Sequence, residues 1–368
     1  MQTIEFAERA KVTDVSGIRE IAAMSFGLKD PINLSIGQPH FDVPKSVQKA
    51  AKQAIDAGRN SYTQTQGIEE LIDALHQKLG GHYKDGEIIT TSAVSGGLNL
   101  AFLALLNPGD EVLLSDPYFV MHKQLAHVLG VKPVYFDTYD CDFQLPLERI
   151  ETLITPKTKA MVVCSPANPT GTVYSHEQLK ALSKILDKHG VVAISDEIYD
   201  LFCYDGKFVS IADFYRHKTV ILKGFSKSHS MTGWRLGYAA GPKALIQTML
   251  KFQQCTFICA PSMAQFAGIE ALKVDMRSFA EDYKMKREKI YQGLLEADYE
   301  VIKPAGAFYI FPKAPEGGGV EFVKRCIAEN LLVIPGNIFS EKDTHFRISY
   351  AVSEEVIEQG LEILKRIR

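Results

Sequence analysis

Short apolar runs alternate with longer helix-like stretches between about residue 86 and residue 240. The apolar runs lie at residues 111–114, 131–136, 160–164, 191–195 and 220–222. Helix-like stretches at residues 96–106, 119–129 and 176–189 separate several of these runs. Ser175 and Gln178, at the start of the last stretch, have the spacing of a capping box. Apolar strands separated by helices predict an α/β fold with a mostly parallel central sheet and helices on both faces.

The pattern changes after about residue 273. A long helical stretch covers residues 278–297, and strand-like runs follow at 307–311, 332–334 and 345–350. A last helix is expected over residues 354–367, after Ser353. The segment before Pro44 is rich in turn residues and is expected to pack with this part. We therefore expect a large domain over residues 45–270 and a smaller α+β domain formed by residues 1–44 and 271–368.

The composition narrows the class of protein. The chain has 368 residues, of which 46% are hydrophobic and 23% charged, as in ordinary globular proteins. Its net charge of -3 gives no reason to bind nucleic acid or an anionic membrane. No run approaches the roughly 18 apolar residues of a membrane span, and the first residues lack the apolar core of a signal peptide. The six cysteines are scattered, which favours reduced thiols, a cytoplasmic location and no metal site.

Polar and aromatic residues follow the predicted strands at the points where the strands end. They are Ser95, Phe119, Asn168, Asp196 with Tyr199, and Lys227 with Arg235. Because the carboxyl ends of parallel strands meet at one edge of a sheet, we expect these side chains to surround one pocket. Each residue alone also has a common structural role, since Asn168 begins a turn and Asp196 could cap a helix or form an ion pair. Their joint placement favours an anion site that contains a reactive amine.

The string GFSKSHSMTGWRLG at residues 224–237 closely resembles the lysine signature of class I/II aminotransferases. These enzymes have fold type I and depend on pyridoxal 5'-phosphate (PLP). Further motifs appear in the family's order: IGQP at 36–39, NSY at 60–62, NPTG at 168–171, SDEIY at 195–199, GAFY at 306–309 and FRIS at 346–349. The resemblance covers nearly the whole chain. It is strongest to the prokaryotic subgroup that contains aspartate, aromatic and acyl-diaminopimelate aminotransferases.

The resemblance implies a catalytic role for three residues. Lys227 would form the Schiff base with the cofactor and move the substrate Cα proton once substrate has displaced it. Asp196 would hold the proton on the cofactor ring nitrogen. Tyr199, together with Asn168, would donate hydrogen bonds to the ring's phenolic oxygen. Phe119 would stack on the ring face.

The resemblance also assigns the phosphate of the cofactor to a set of donors. Arg235 and the hydroxyls of Ser226 and Ser95 would bind it together with the backbone amides of Ala93, Val94 and Ser95 at a helix N-terminus. Tyr62 would reach the phosphate of the neighbouring subunit. The expected assembly is therefore a homodimer with shared active sites.

Substrate binding is assigned in the same way. Arg347 would clamp the substrate α-carboxylate, and Gly37 would let the backbone approach it closely, next to Asn168. Ile18 and His40 are expected to line the substrate mouth. Many relatives have Ser or Thr at the position of Gly224, so one phosphate hydroxyl is expected to be missing or replaced by water. Many have Asp at the position of His40, so substrate preference does not transfer directly.

The implied function is transfer of an amino group from an L-amino acid, with aspartate or aromatic substrates favoured, to a 2-oxo acid such as 2-oxoglutarate by a ping-pong mechanism. Two alternatives stay open. A C–S β-lyase could use the same lysine and cofactor, because the pocket decides the reaction that follows the shared step. A sensing domain of a transcription regulator would need a DNA-binding domain, and the residues before the large domain show no basic helix-turn-helix pattern.

Overall fold

The computed structural model describes residues 4–12, 28–84 and 86–368. The strands are β1 (Ile32–Asn33), β2 (Ile88–Ser92), β3 (Glu111–Asp116), β4 (Lys132–Asp137), β5 (Thr158–Cys164), β6 (Val192–Asp196), β7 (Thr219–Gly224), β8 (Leu236–Ala240), β9 (Tyr309–Ile310), β10 (Leu331–Leu332), β11 (Ile334–Pro335) and β12 (Phe346–Ser349). The helices are α1 (Glu8–Val12), α2 (Lys45–Asp56), α3 (Glu69–Lys78), α4 (Ala93–Leu105), α5 (Val120–Val128), α6 (Leu147–Leu153), α7 (His176–His189), α8 (Ala212–Tyr215), α9 (Phe225–Ser228), α10 (Lys243–Thr256), α11 (Ser262–Ala271), α12 (Arg277–Glu296), α13 (Gly318–Ala328) and α14 (Glu354–Ile367).

A seven-stranded sheet forms the centre of the fold, in the order β2-β8-β7-β6-β5-β3-β4. The pairs β7–β6, β6–β5, β5–β3 and β3–β4 are parallel, which confirms the predicted mostly parallel sheet. The five apolar runs of the sequence became β3 to β7. Their carboxyl ends therefore meet at one edge of the sheet, which is where the polar residues were expected to converge.

Strand β8 was not predicted, and it is antiparallel to both of its neighbours, β2 and β7. Its sequence LGYAA is short and made mostly of small residues, which carry a weak strand signal. The small residues are required by the packing, because a Cβ on Gly237 would lie only 2.7 Å from the backbone of Ala93. A side chain at position 237 would therefore prevent β8 from passing so close to the start of α4.

Alternate residues of the strands face opposite sides of the sheet. Val162 of β5 lies in the same buried cluster as Phe102 of α4, whereas Met161 and Val163 lie in the cluster that contains Leu182 of α7. Apolar residues on both faces of one strand explain why the run reads as continuously hydrophobic. Helices therefore cover both faces, as predicted.

The smaller domain combines the two ends of the chain. Strand β1 pairs in parallel with β10, and β12 lies between β11 and β9 in an antiparallel sheet. The single strand predicted over residues 332–334 is two short strands, with Val333 between them. Leu34 packs tightly against Gly360 of α14, where an added Cβ would overlap the Leu34 side chain. An α+β domain is thus confirmed, while its boundaries at residues 44 and 271 stay a prediction.

None of the helices among the described residues is long and apolar enough to cross a lipid bilayer. The longest of them, α12, carries charged residues along much of its length. This finding agrees with the sequence pattern, in which no apolar run reached the length of a membrane span.

The capping box of α7 provides a test of local stability. Ser175 Oγ accepts from the Gln178 amide at 3.2 Å, and Gln178 Oε1 accepts from the Ser175 amide at 3.0 Å. Ser175→Ala should destabilise the folded protein by about 1 kcal/mol, because the Gln178 amide at the helix start loses its side-chain acceptor. A thermal melt should show a fall of roughly 2–4 °C for a domain of this size. Ser175→Asp retains a capping oxygen and should melt close to the unchanged protein; equal losses for both variants would contradict the capping role.

Candidate active site

A cavity of about 290 Å³ opens at the carboxyl edge of the central sheet. Most of the residues predicted from the sequence line it: Gly37, Ala93, Val94, Ser95, Phe119, Asn168, Asp196, Tyr199, Ser226, Lys227, Arg235 and Arg347. The cavity is also lined by residues that were not expected there from the sequence: Leu98, Cys164, Ile198 and Thr232. The cavity therefore joins residues that are as much as 310 positions apart, from Gly37 to Arg347.

The amine of Lys227 lies inside this cavity. Lys227 belongs to the short helix α9, which follows β7 directly, and its Nζ donates a hydrogen bond to the carbonyl of Gly37 at 2.6 Å. Burial lowers the pKa of Lys227 to about 8, and Arg347 and Arg235 lower it in the same direction, while Asp196 partly opposes them. A substantial fraction of the amine is therefore unprotonated, and nucleophilic, at mildly alkaline pH.

Asp196 ends β6 and lies on the floor of the cavity. Its Oδ1 accepts from the amide of Ile198 at 3.3 Å, and its Oδ2 lies 3.2 Å from Nε2 of His122. Both side chains of the Asp196–His122 pair are 3% exposed. His122 was missed by the sequence analysis, although it stands three residues after Phe119 and so on the same face of the α5 segment. The pair holds a carboxylate in a fixed orientation at the bottom of the site.

Helix α4 begins at the edge of the cavity and offers its N-terminus to an anion. Ala93 has φ of +57°, and this left-handed residue turns the chain from β2 into the helix. Ser95 Oγ accepts from Arg235 Nη2 at 2.9 Å, so a guanidinium group lies beside the free amides of the first turn. Arg235 is fixed in turn by its Nη1, which donates to the carbonyl of Thr232 at 2.9 Å. Amides, a helix dipole and a cation together make a phosphate-binding arrangement.

Arg347 of β12 supplies a second, fully buried guanidinium group. Its Nη1 donates to Asn168 Oδ1 at 3.0 Å, and its Nη2 donates to the carbonyl of Ser35 at 2.8 Å. Its Nε has no hydrogen-bond partner among the residues that the structure describes. The ring of Tyr309 lies 4.5 Å from the guanidinium carbon. Arg347 lines the cavity, and a buried guanidinium group with an unpartnered N–H is suited to a carboxylate ligand.

Two phenol groups complete this side of the cavity. The hydroxyls of Tyr199 and Tyr309 lie 2.8 Å apart. Burial is the larger cause, and the neighbouring Tyr309 hydroxyl the smaller one, of a Tyr199 pKa well above its ordinary value. Tyr199 therefore stays protonated and able to donate. A Cβ on Gly37 would overlap the Tyr309 hydroxyl, so the position accepts only glycine in this arrangement.

Two of the predicted site residues, Tyr62 and His40, do not line the cavity. Tyr62 is 81% exposed, and His40 contacts α12 instead. Ile18 lies outside the described residues. The roles assigned to the individual site residues therefore stay predictions. The role of Tyr62 depends on a neighbouring subunit, and that of Ile18 on residues that the structure does not describe.

Lys223, the other lysine near the end of β7, has a different environment. Its Nζ lies 2.7 Å from Asp200 and 3.1 Å from the buried Glu197. Burial alone would lower the pKa of Lys223, but Asp200 and Glu197 raise it well above its ordinary value. Lys223 is therefore a charged partner in an ion-pair cluster, whereas Lys227 is the amine that faces the cavity.

The chain matches the family model described as aminotransferase class I and II over residues 29–364. A probable aspartate aminotransferase of Methanocaldococcus jannaschii is 39% identical over 98% of this chain and 99% of its own length. An aromatic-amino-acid aminotransferase of Thermococcus litoralis is 33% identical over 98% of this chain and 97% of its own. The solved structure of aspartate aminotransferase from Thermus thermophilus with maleate superposes with a TM-score of 0.95 at 33% identity, over the whole of both chains.

The environment of Lys227 predicts its reactivity. In the cofactor-free protein, competitive acylation of Lys227 should follow a titration midpoint near pH 8, because burial and two guanidinium groups disfavour the charged amine. Arg347→Met removes one of these cations and should move the midpoint upward. The extent of labelling at each pH can be read by peptide mass spectrometry. A midpoint near the ordinary lysine value of about 10.4 in the unchanged protein would contradict this account.

Proposed function

Since the chain belongs to the class I and II aminotransferase family and is a transaminase, we propose that it moves the amino group of an L-amino acid to 2-oxoglutarate by a ping-pong mechanism. Aspartate and aromatic amino acids are the proposed donors, because enzymes with both names are among its relatives. The observation that carries the proposal is the buried amine of Lys227, which shares one cavity with Asp196, Arg235 and Arg347.

The donor set of the cavity fits pyridoxal 5'-phosphate as the cofactor. The first turn of α4 and Arg235 suit the phosphate, and the orphaned Nε of Arg347 is left for a second anionic group. Asp196 suits the protonated ring nitrogen, and Phe119 lines the same cavity with an aromatic face. When bound, this cofactor supplies the electron sink that stabilises negative charge at the substrate Cα.

Lys227 is proposed both to hold the cofactor and to move the Cα proton. A base works best when its pKa lies near the operating pH, and burial with the two arginines brings the pKa of Lys227 to about 8. The hydrogen bond from Nζ to the Gly37 carbonyl shows how far the amine reaches across the cavity in the free protein. The same reach would place Nζ beside the Cα of a substrate held by Arg347.

Arg347 is proposed to bind the substrate α-carboxylate and Asn168 to orient the cofactor ring. Because Asn168 Oδ1 accepts from Arg347, the Asn168 amide nitrogen is free to donate to the ring oxygen. Tyr199 is protonated and would donate to the same oxygen. These contacts couple substrate clamping to cofactor orientation through a single side chain, Asn168.

The proposed assembly is a homodimer in which Tyr62 acts on the neighbouring subunit. Tyr62 is 81% exposed and does not line the cavity of its own chain. This exposure leaves the Tyr62 side chain available to a neighbouring subunit. The dimer would place the Tyr62 hydroxyl near the phosphate end of the partner's site.

A half-reaction tests the function. Addition of aspartate or an aromatic amino acid to the PLP-loaded protein should bleach the visible absorption of the bound cofactor and release the matching 2-oxo acid. Lys227→Ala should lower kcat by roughly 10²–10⁴-fold, because the proton-transfer base is lost, with little change in melting temperature. Release of pyruvate and ammonia without any added 2-oxo acid would point to a β-lyase instead.

Lys223→Ala is the matched control for Lys227→Ala, because it removes a different lysine four residues earlier in the chain. It leaves the buried Glu197 without its cation and should destabilise the fold by roughly 3 kcal/mol while the half-reaction persists. The two variants should thus separate chemistry from stability. If Lys227→Ala retained turnover near the unchanged rate, the assignment of Lys227 would be wrong.

Mixed dimers test the shared site. Lys227→Ala and Tyr62→Ala each impair every site of their own homodimer. If Tyr62 acts across the interface, the mixed dimer contains one intact site, because the Tyr62→Ala chain keeps its Lys227 and receives Tyr62 from its partner. Co-refolded or co-expressed mixtures should then be more active than the mean of the two homodimers. An activity equal to that mean would place Tyr62 outside the partner's site.

A further inference from the structure

Residues 37–41, here called the mouth loop, lie between the segment that carries Lys227 and helix α12. On one side the Gly37 carbonyl accepts from Lys227 Nζ, and the Phe41 carbonyl accepts from Ser230 Oγ at 2.6 Å. On the other side the ring of Phe41 lies 4.0 Å from that of Phe279, just inside α12. The loop therefore connects the cavity to a helix of the smaller domain.

His40 makes the polar contacts between the mouth loop and α12. Its amide donates to the Tyr283 hydroxyl at 3.1 Å, and its Nδ1 lies 3.0 Å from the same oxygen. Its Nε2 lies 2.8 Å from Nζ of Lys286, whose side chain is only 4% exposed. Lys286 also donates to Asp282 Oδ2 at 2.8 Å. A buried lysine is thus directed at the ring of a half-buried histidine.

This geometry defines the protonation state of the ring. An ammonium group can only donate, so Nε2 of His40 must accept from Lys286, and the ring proton must lie on Nδ1. Nδ1 then donates to the Tyr283 hydroxyl. A second proton, on Nε2, would place an N–H group against the ammonium of Lys286 and break that hydrogen bond. The contact exists only while His40 is neutral.

We propose that His40 is a positioning residue whose neutral ring binds Lys286 and so fixes the mouth loop on α12, and that protonation of His40 loosens the loop and weakens substrate binding. The effect on the substrate rests on the proposed aminotransferase function. It follows because Gly37, at the start of the loop, lines the cavity and contacts Lys227. The release of the loop itself rests on the contacts of His40 alone.

The charged groups around the ring agree with a neutral His40 at neutral pH. Asp282, Tyr283 and Lys286 face it from α12, while Asp42 of its own segment is bound to Gln48 and Lys45. Burial and then Lys286 lower the pKa of His40, and Asp282 opposes them. A lowered pKa favours the neutral ring in the folded state, so the contact is intact above the ordinary histidine pKa and is lost only as the pH falls below it.

Amide hydrogen exchange of the PLP-loaded protein tests the release directly. After correction for intrinsic rates, the peptide that contains the mouth loop should exchange roughly tenfold faster at about pH 5 than at about pH 7.5, because the anchoring bonds are lost. In His40→Asp the introduced carboxylate accepts from Lys286 at both pH values, so this variant should abolish the difference. Lys286→Met should speed exchange at both pH values, whereas Lys284→Met, on the same helix, controls for the loss of a positive charge and should behave like the unchanged protein.

Steady-state kinetics test the consequence for substrate. KM for the amino acid should rise roughly three- to tenfold over the same acidification, more than kcat falls, and His40→Asp should flatten this rise. Loop exchange that does not depend on pH in a protein that transaminates would overturn the proposal, and so would a released loop with unchanged KM. If no amino acid is transaminated but the exchange pattern appears as described, the anchoring role of His40 stands and the proposed function fails.

Discussion

A primary amine and a guanidinium group lie buried in one cavity, and a second guanidinium borders it. Lys227 and Arg347 are buried, and Arg235 lies at the anion-binding end. Like charges in a poorly solvated space repel, so each one needs its own partner or must give up its proton. Arg347 is held by Asn168 and a backbone carbonyl, and Arg235 by Ser95 and the carbonyl of Thr232. Burial lowers the pKa of both Arg347 and Lys227, but an arginine stays charged, whereas the pKa of Lys227 falls to about 8 and leaves a nucleophilic amine.

The sheet topology places these groups together. Lys227 and Arg235 are eight residues apart, and β7 and β8 on either side of them run antiparallel, so the chain leaves the sheet edge and returns to it. Arg235 has φ of +52°, which turns the chain into β8, and Gly237 allows β8 to pass beside Ala93. The start of α4 and the side chain of Arg235 therefore meet at one point. An anion site results from how three backbone segments pack rather than from any one motif.

Local signals and chain order made much of this fold predictable. The bounds of α7 and its capping box were expected from Ser175 and Gln178, since the forces involved act within one turn. Strand β8 was missed because its glycine, Gly237, is required by close packing against Ala93, and that contact leaves no pattern in the local sequence. His122 was missed for the same reason, since its partner Asp196 is distant in sequence. The roles of the site residues were inferred from the family resemblance, whereas the contacts of Gly237 with Ala93 and of His122 with Asp196 became apparent only in the structure.

Substrate choice depends on charges that this cavity does not fully supply. Among the described residues that line it, the cations are Lys227, Arg235 and Arg347. If Arg235 binds phosphate, Arg347 the α-carboxylate and Lys227 the cofactor, none is left for the side-chain carboxylate of aspartate. A dicarboxylate substrate would then need a cation from beyond these residues, and a neighbouring subunit is the natural source. An aromatic substrate needs no such charge, so under the proposed function a cation from beyond this cavity would decide between the two preferences.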